Sequence, residues 1–201
     1  METPRQLVHL SGLLFVLLAQ FTGSILAAFS FFAIAATFLI YSEYIKREKI
    51  MLAGFLEAAE KRLRNFITKF ERTGTPRPFL GAFWFYAGCG FAFLLFPLPV
   101  ASAACSILAV GDSLSTIFGK KFGRHKLIGS KTAEGSAVFF AGAVLISLVF
   151  VNPLPALAGS AAAAIAELLP DVHFLFKAKG RGFVDDNLLI PIVAGFIMLL
   201  I

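Results

Sequence analysis

The run LVHLSGLLFVLLAQFTGSILAAFSFFAIAATFLIY, residues 7–41, contains no Asp, Glu, Lys or Arg, and its only ionisable side chains are His9 and Tyr41. A helix of about 35 residues would be over ~50 Å long, against a bilayer hydrocarbon core of ~30 Å. The run must therefore break, and Phe21-Thr22-Gly23-Ser24 supplies the break, predicting helices over 7–21 and 24–41. Met1 to His9 carries only Arg5 as a basic residue, and no small-residue cleavage site precedes polar sequence. The first apolar run therefore reads as a retained span and not as a removable leader.

Working outward, the rest of the chain repeats the pattern. Of its 201 residues 58% are hydrophobic and 15% charged, where a soluble domain carries about 25% charge. Gly135 to Ala166 holds no ionisable group. Further spans are expected near 79–96 and 98–118, split by Pro97 and Pro99, and near 132–151 and 154–169, split by Asn152-Pro153-Leu154-Pro155. A last apolar run goes from Leu188 to Ile201; at about 14 residues it is short for a full crossing. The expected fold is all-α: a polytopic membrane helix bundle of about seven spans, read as one membrane domain over 1–201. The two cysteines, Cys89 and Cys105, fall in apolar segments and read as small packing residues.

Alternating seven spans across a bilayer places all 18 Lys and Arg residues on one side: Arg5, the 42–78 segment, the 119–131 loop and the 170–187 loop. The opposite side receives none. Excess Lys and Arg mark the cytosolic side, so the C-terminus is expected outside. Within the 42–78 segment, Leu52, Leu56, Ala59, Leu63, Phe66 and Phe70 recur at spacings of four and three. Glu57–Lys61 and Glu60–Arg64 pair on the other face. This predicts a cytosolic amphipathic helix over about 43–72, lying on the membrane or under the bundle.

Acids at the edge of apolar helices are costly and need a partner or a function. Asp112, Glu134 and Glu167 are three such acids, all toward the cytosolic ends of their helices. Three carboxylates converging from three helices would offer hard oxygen ligands to a divalent cation, and magnesium suits that set. Asp112 opens a small polar face with Ser115, Thr116 and Gly119. That face runs into Gly119-Lys120-Lys121-Phe122-Gly123-Arg124-His125-Lys126-Leu127-Ile128-Gly129-Ser130-Lys131-Thr132. Glycines that expose N–H groups, interleaved with cations and leading into a helix N-terminus, are the ingredients of a phosphate cradle. Topology anchoring is the plain alternative for those cations. Arg5 and His9, four residues apart, share a helix face and could meet a phosphate or act as polar anchors. Asp185-Asp186-Asn187 offers metal or base ligands, or an ordinary helix cap.

Gly111-Asp112-Ser113, then Phe118-Gly119-Lys120-Lys121-Phe122-Gly123, then Ser130-Lys131-Thr132-Ala133-Glu134-Gly135-Ser136 together resemble the CTP-dependent polyprenol kinases. These include dolichol kinase, phytol kinase and the CTP-using diacylglycerol kinase. Arg5-Gln6-Leu7-Val8-His9 resembles the family's N-terminal Arg-Lys-x-x-His element, with Gln6 in place of Lys. Asp186-Asn187-Leu188-Leu189-Ile190-Pro191 resembles its closing Asp-Asn-Leu-x-Ile-Pro element. The resemblance implies CTP as phosphoryl donor, a lipid alcohol such as a polyprenol as acceptor, and Mg2+ as cofactor, with the bilayer but no nucleic acid as partner. It implies catalytic roles for Asp112, Lys131, Glu134 and Asp186. Nucleotide or phosphate contacts are implied at Arg5, His9, Ser113, Gly119, Lys121, Gly123, Arg124, Lys126, Lys131, Thr132 and Asn187, and metal contacts at Asp112, Glu134 and Glu167. The central motif is also similar to that of phosphatidate cytidylyltransferases, but Pro170 to Asn187 lacks their His-Gly-Gly and Asp-Arg elements. A cytidylyltransferase making a CDP-lipid, or a non-catalytic transporter or scaffold, are the alternatives.

Overall fold

The computed structural model describes residues 3–46, 61, 79–175 and 185–201, with side chains described for 8–43, 61, 79–169 and 185–201. The amphipathic helix expected over 43–72 falls almost wholly outside the described residues. Seven helices are present among those described: α1 (Thr3–Thr22), α2 (Ser24–Lys46), α3 (Leu80–Leu95), α4 (Leu98–Phe122), α5 (Ala133–Ser147), α6 (Pro153–Leu175) and α7 (Asp186–Leu200). The described residues include no strand; an isolated antiparallel bridge joins Lys126 and Thr132. The all-helical bundle expected from the sequence is what is found.

The breaks fall where the chain chemistry puts them. Gly23 takes a positive φ of 84° between α1 and α2, a conformation that costs glycine nothing. Pro97 caps α4 and Pro99 sits in its first turn, where the missing N–H is harmless. Helix α5 stops at Ser147, four residues short of its expected end. There Val149 N–H turns back to Ile146 O and Phe150 N–H to Ser147 O, tightening the chain ahead of Pro153.

Helix α4 is the centre of the bundle and packs against α1, α3, α5, α6 and α7. Its buried stretch is built of small residues: Ala101, Ser102, Ala103, Ala104, Cys105, Ser106, Ala109 and Gly111. Small side chains let neighbouring backbones approach closely, which is how helices associate where no hydrophobic drive separates protein from lipid. Both cysteines are free and buried, and Cys105 Sγ rests 3.8 Å from Cys89 O. The outer surface is apolar. Leu14, Leu17, Phe21, Ile25, Phe29 and Ile40 of α1 and α2 are all exposed, Phe21 to 89%. Residues 24–43 and α4 are long and apolar enough to cross a bilayer; in the other helices the apolar stretches with described side chains, such as 8–22 and 153–169, are shorter, at 10–17 residues. Apolar helices with outward-facing Leu, Ile and Phe are the character of an integral membrane protein. Seven full crossings is an expectation that apolar length meets in two cases among the residues with described side chains.

Candidate active site

The starts of α1, α5 and α7 and the far ends of α4 and α6 meet at one end of the bundle, and the ionisable side chains meet there with them. His9 of α1 is 2% exposed. Its ring stacks on Phe85 of α3, with centroids 4.6 Å apart. Its Nδ1 lies 3.1 Å from Asp112 Oδ2, at ion-pair distance but off the line of a hydrogen bond. Asp112 is 7% exposed on α4. One turn further, Ser115 Oγ donates to Glu167 Oε1 of α6 at 2.8 Å. Lys131 enters from the loop, and its Nζ sits 2.9 Å from Glu167 Oε1 and 3.7 Å from Asp186 Oδ2 of α7.

Four helices and one loop therefore bring His9, Asp112, Ser115, Lys131, Glu167 and Asp186 into one polar cluster. Burial pulls the Lys131 ammonium toward its neutral form. Glu167, Asp112 and Asp186 outweigh that and raise its pKa above the ordinary lysine value, so the side chain stays charged. Glu167 is fully buried at its side chain, and its second oxygen, Oε2, has no hydrogen-bond partner. Such an orphaned carboxylate oxygen is costly unless a cation or donor arrives.

At the start of α7, Asp185 caps the helix, and its Oδ1 accepts from Asn187 N–H at 3.1 Å and Asn187 Nδ2–H at 2.7 Å. The cap role for this acidic pair is thus real for Asp185, while Asp186 faces Lys131. Burial, and then the charge of Asp186, push the Asp185 pKa up to about 6. Asn187 is 2% exposed and is held by its two acidic neighbours. Pro191 lies four residues after it and has no N–H to offer the Asn187 carbonyl. That carbonyl instead abuts Gly88 of α3, where any Cβ would run into it.

Other sequence-predicted residues are placed differently. Glu134 does not join the other two acids proposed as metal ligands. Its carboxylate accepts from the N–H of Arg124 at 3.1 Å and pairs with His125 Nδ1 at 2.6 Å. Among the described residues no three His, Cys, Asp or Glu side chains gather as a metal site. Gly119 lies inside α4, and Gly123 N–H is bound to Gly119 O at 3.0 Å. Both glycines act in close packing: a Cβ at Gly119 would come 3.2 Å from Thr132 Oγ1. The expected free N–H cradle is therefore not formed by these two. Thr132 caps α5, its hydroxyl accepting from Gly135 N–H at 3.2 Å. Ser113 Oγ donates to Ala109 O at 2.7 Å within its own helix. Lys121, Arg124 and Lys126 are exposed, with Lys121 Nζ 5.3 Å over the Phe122 ring. Arg5 lies in α1, but its side chain is outside the described residues.

Three partners escaped the sequence reading of the site: Ser115 for Glu167, Phe85 for His9, and His125 for Glu134. Ser115 was visible as an i+3 neighbour of Asp112, and nothing in the spacing revealed the other two.

No known family model and no solved structure matches the chain. A curated relative does: the chain is similar to the dolichol kinase of Saccharomyces cerevisiae, 28% identical over 162 residues, which cover 74% of this chain and 27% of that protein. The chain thus spans about a quarter of the length of the curated relative it matches, a distant likeness that points no more finely than to the polyprenol kinases.

Proposed function

We propose that the chain is a lipid-alcohol kinase that transfers the terminal phosphoryl group of CTP to a polyprenol such as dolichol, at the cytosolic surface of a membrane it crosses several times. The observation that carries this reading is the half-buried Lys131, drawn by Glu167 and Asp186 into an acid cluster that also holds Asp112. Exposed Arg124 and Lys126 stand on the same loop, and exposed Lys121 lies in the last turn of α4 that leads into it. Support also comes from the distant likeness to a dolichol kinase, and from the gathering of all 18 basic residues in segments that alternate spans would put on one side.

The triphosphate lies along the 119–131 loop, where Lys121, Arg124 and Lys126 offset its charge and Lys131 reaches the phosphate nearest the cluster. The lipid alcohol lies among the apolar helices with its hydroxyl at headgroup depth. Its oxygen attacks the terminal phosphorus in line, the bond to the bridging oxygen breaks, and CDP leaves. The hydroxyl proton passes to a carboxylate, Asp112 or Asp186. His9, 3.1 Å from Asp112, helps fix the position of that carboxylate. Catalysis is chiefly positioning and charge neutralisation, as phosphoryl transfer requires.

Magnesium fits this donor set, since it binds through one or two carboxylates and takes its other ligands from water and substrate phosphates. Asp112 and the orphaned oxygen of Glu167 are the residues to hold it, and it would supply added charge neutralisation at the phosphates. Purified protein in nanodiscs, given gamma-labelled CTP and a panel of polyprenol, phytol and diacylglycerol, tests the proposal. The expected products are labelled lipid phosphate and CDP. Pyrophosphate with a CDP-lipid would replace the kinase by a cytidylyltransferase, and no turnover with any alcohol would favour a transporter or scaffold.

A further inference from the structure

Glu134 stands in the first turn of α5 with both carboxylate oxygens engaged. Oε2 accepts from Arg124 N–H at 3.1 Å, His125 N–H lies 3.3 Å from each oxygen, and His125 Nδ1 is 2.6 Å from Oε1. This carboxylate closes the beginning of the loop onto the helix that follows it. The rest of the loop is a narrow ribbon. Ala133 N–H donates to His125 O at 2.9 Å, Leu127 N–H to Lys131 O at 3.0 Å, and Lys131 N–H to Ile128 O at 2.9 Å. Lys126 bridges Thr132, and Gly129 turns the chain with a φ of 56°.

The ribbon sorts its cations. Lys131 is directed inward to Glu167 and Asp186, while Arg124 and Lys126 stay exposed. Its trailing end is fixed because it becomes α5. The leading end, at Arg124 and His125, is fixed by Glu134 and by the Ala133 N–H.

We propose that Glu134 is a positioning residue: with His125 it clasps the loop so that Lys131 enters the acid cluster and Arg124 and Lys126 face the triphosphate, and it does not hold the metal. This rests on the kinase reading for its consequence in turnover, and on the loop alone for the clasp. Both oxygens of this carboxylate are already engaged by two backbone N–H groups and an imidazole, and among the described residues it joins no group of three metal-type side chains. The cost of losing such charge-assisted bonds falls on loop order first.

Amide hydrogen exchange in nanodiscs without nucleotide reads the clasp directly, in wild type, Glu134→Ala, Glu134→Gln and His125→Ala. In Glu134→Ala the amides of Arg124 and His125 should exchange about tenfold faster, as befits the loss of charge-assisted bonds. The loosening should extend to the amides of Leu127 and Lys131. Glu134→Gln should recover part of the protection, because an amide oxygen still accepts from the two N–H groups, and His125→Ala should give a weaker effect of the same kind. In turnover, the KM for CTP should rise about tenfold in Glu134→Ala while the magnesium concentration at half activity moves less than about twofold. Unchanged exchange, or loosening confined to residues 124 and 125, overturns the proposal. So does a Glu134→Gln variant as impaired as Glu134→Ala with a magnesium requirement raised about tenfold, the mark of a lost ligand. The exposed position of His125 and exchange rates across α2 and α3 separate loop loosening from unfolding. Exchange decides the clasp even if CTP is not the donor.

Discussion

Replacing Lys131 with Met should destabilise the protein sharply, and replacing Glu167 as well should restore most of the loss without restoring turnover. Glu167 is fully buried at its side chain, and Lys131 is 21% exposed at 2.9 Å from it. Removing one partner of a buried pair leaves an uncompensated charge and costs ~3–5 kcal/mol. Lys131 keeps some solvent, and Ser115 still donates to Glu167, so the lower end, about 3 kcal/mol, applies. For a chain of this size each kcal/mol shifts Tm by ~2–4 °C, giving a fall of roughly 6–12 °C. Lys131→Met with Glu167→Met puts two apolar side chains of similar volume in the gap, an exchange that is often neutral. Ser115 Oγ loses one acceptor there, but the Asp112 carbonyl at 3.2 Å remains within reach. The sign with pH follows from the raised Lys131 pKa. The pair's stabilisation is whole below the ordinary lysine value of ~10.5 and fades only as pH climbs through the higher folded value. Thermal unfolding in detergent micelles, with CDP release measured alongside, checks this. A single variant melting with the wild type, or a double variant no better than the single, refutes the buried pair; an active double variant refutes the role of Lys131 in transfer.

Asp112→Asn keeps the side-chain shape beside His9 and should abolish CDP release while the protein still elutes as a folded species; an active variant would remove Asp112 from the mechanism. Gly88→Ala places a Cβ against the backbone carbonyl of Asn187, so it should cost ~1–3 kcal/mol and lower turnover by shifting Asp186. Gly81→Ala, with nothing within 4 Å of its Cβ, is the matched control and should be neutral by melting temperature. Asp185, lifted from 3.8 to about 6 by burial and by Asp186, holds more protons when folded than unfolded in that interval. Wild-type stability should accordingly fall as pH rises from about 4 to 7, by up to ~3 kcal/mol. Asp185→Asn, which can still cap α7, should flatten that slope in denaturation measured across the range.

Helix boundaries were legible because their causes are local. Gly23, Pro97 and Pro153 break apolar runs whatever surrounds them, and each break lies where the composition places it. The sequence pointed to Asp112, Glu134 and Glu167 meeting at one end, since lipid tolerates no idle acid at a helix edge; the structure brings Asp112 and Glu167 together with Asp186 instead. What each acid touches was not. Glu134 and Glu167 look alike in sequence, each at the rim of an apolar helix, yet one closes a loop and the other is buried against a half-buried lysine. The difference is set by tertiary geometry: α6 delivers Glu167 to Ser115, while the first turn of α5 sits directly under Arg124 and His125. The glycines misled for a related reason. Gly119 and Gly123 suggested exposed N–H groups, but their missing side chains serve the contact of α4 with Thr132 and Gly135, a contact between segments that no spacing rule describes.

Close packing also explains why the polar cluster gathers around α4. A charged cluster at the end of apolar helices is expensive unless its charges are met within a few ångströms. The small residues of α4 let α1, α6 and α7 come close enough for His9 to reach Asp112, for Ser115 to reach Glu167, and for Lys131 to find both Glu167 and Asp186. A bulkier central helix would hold those acids apart, each too far from a shared cation. The same Ala, Ser and Gly run that makes α4 apolar enough for a bilayer is thus what allows the charged side chains at its end to meet and offset one another. The apolar stretch and the polar cluster are two consequences of one packing requirement.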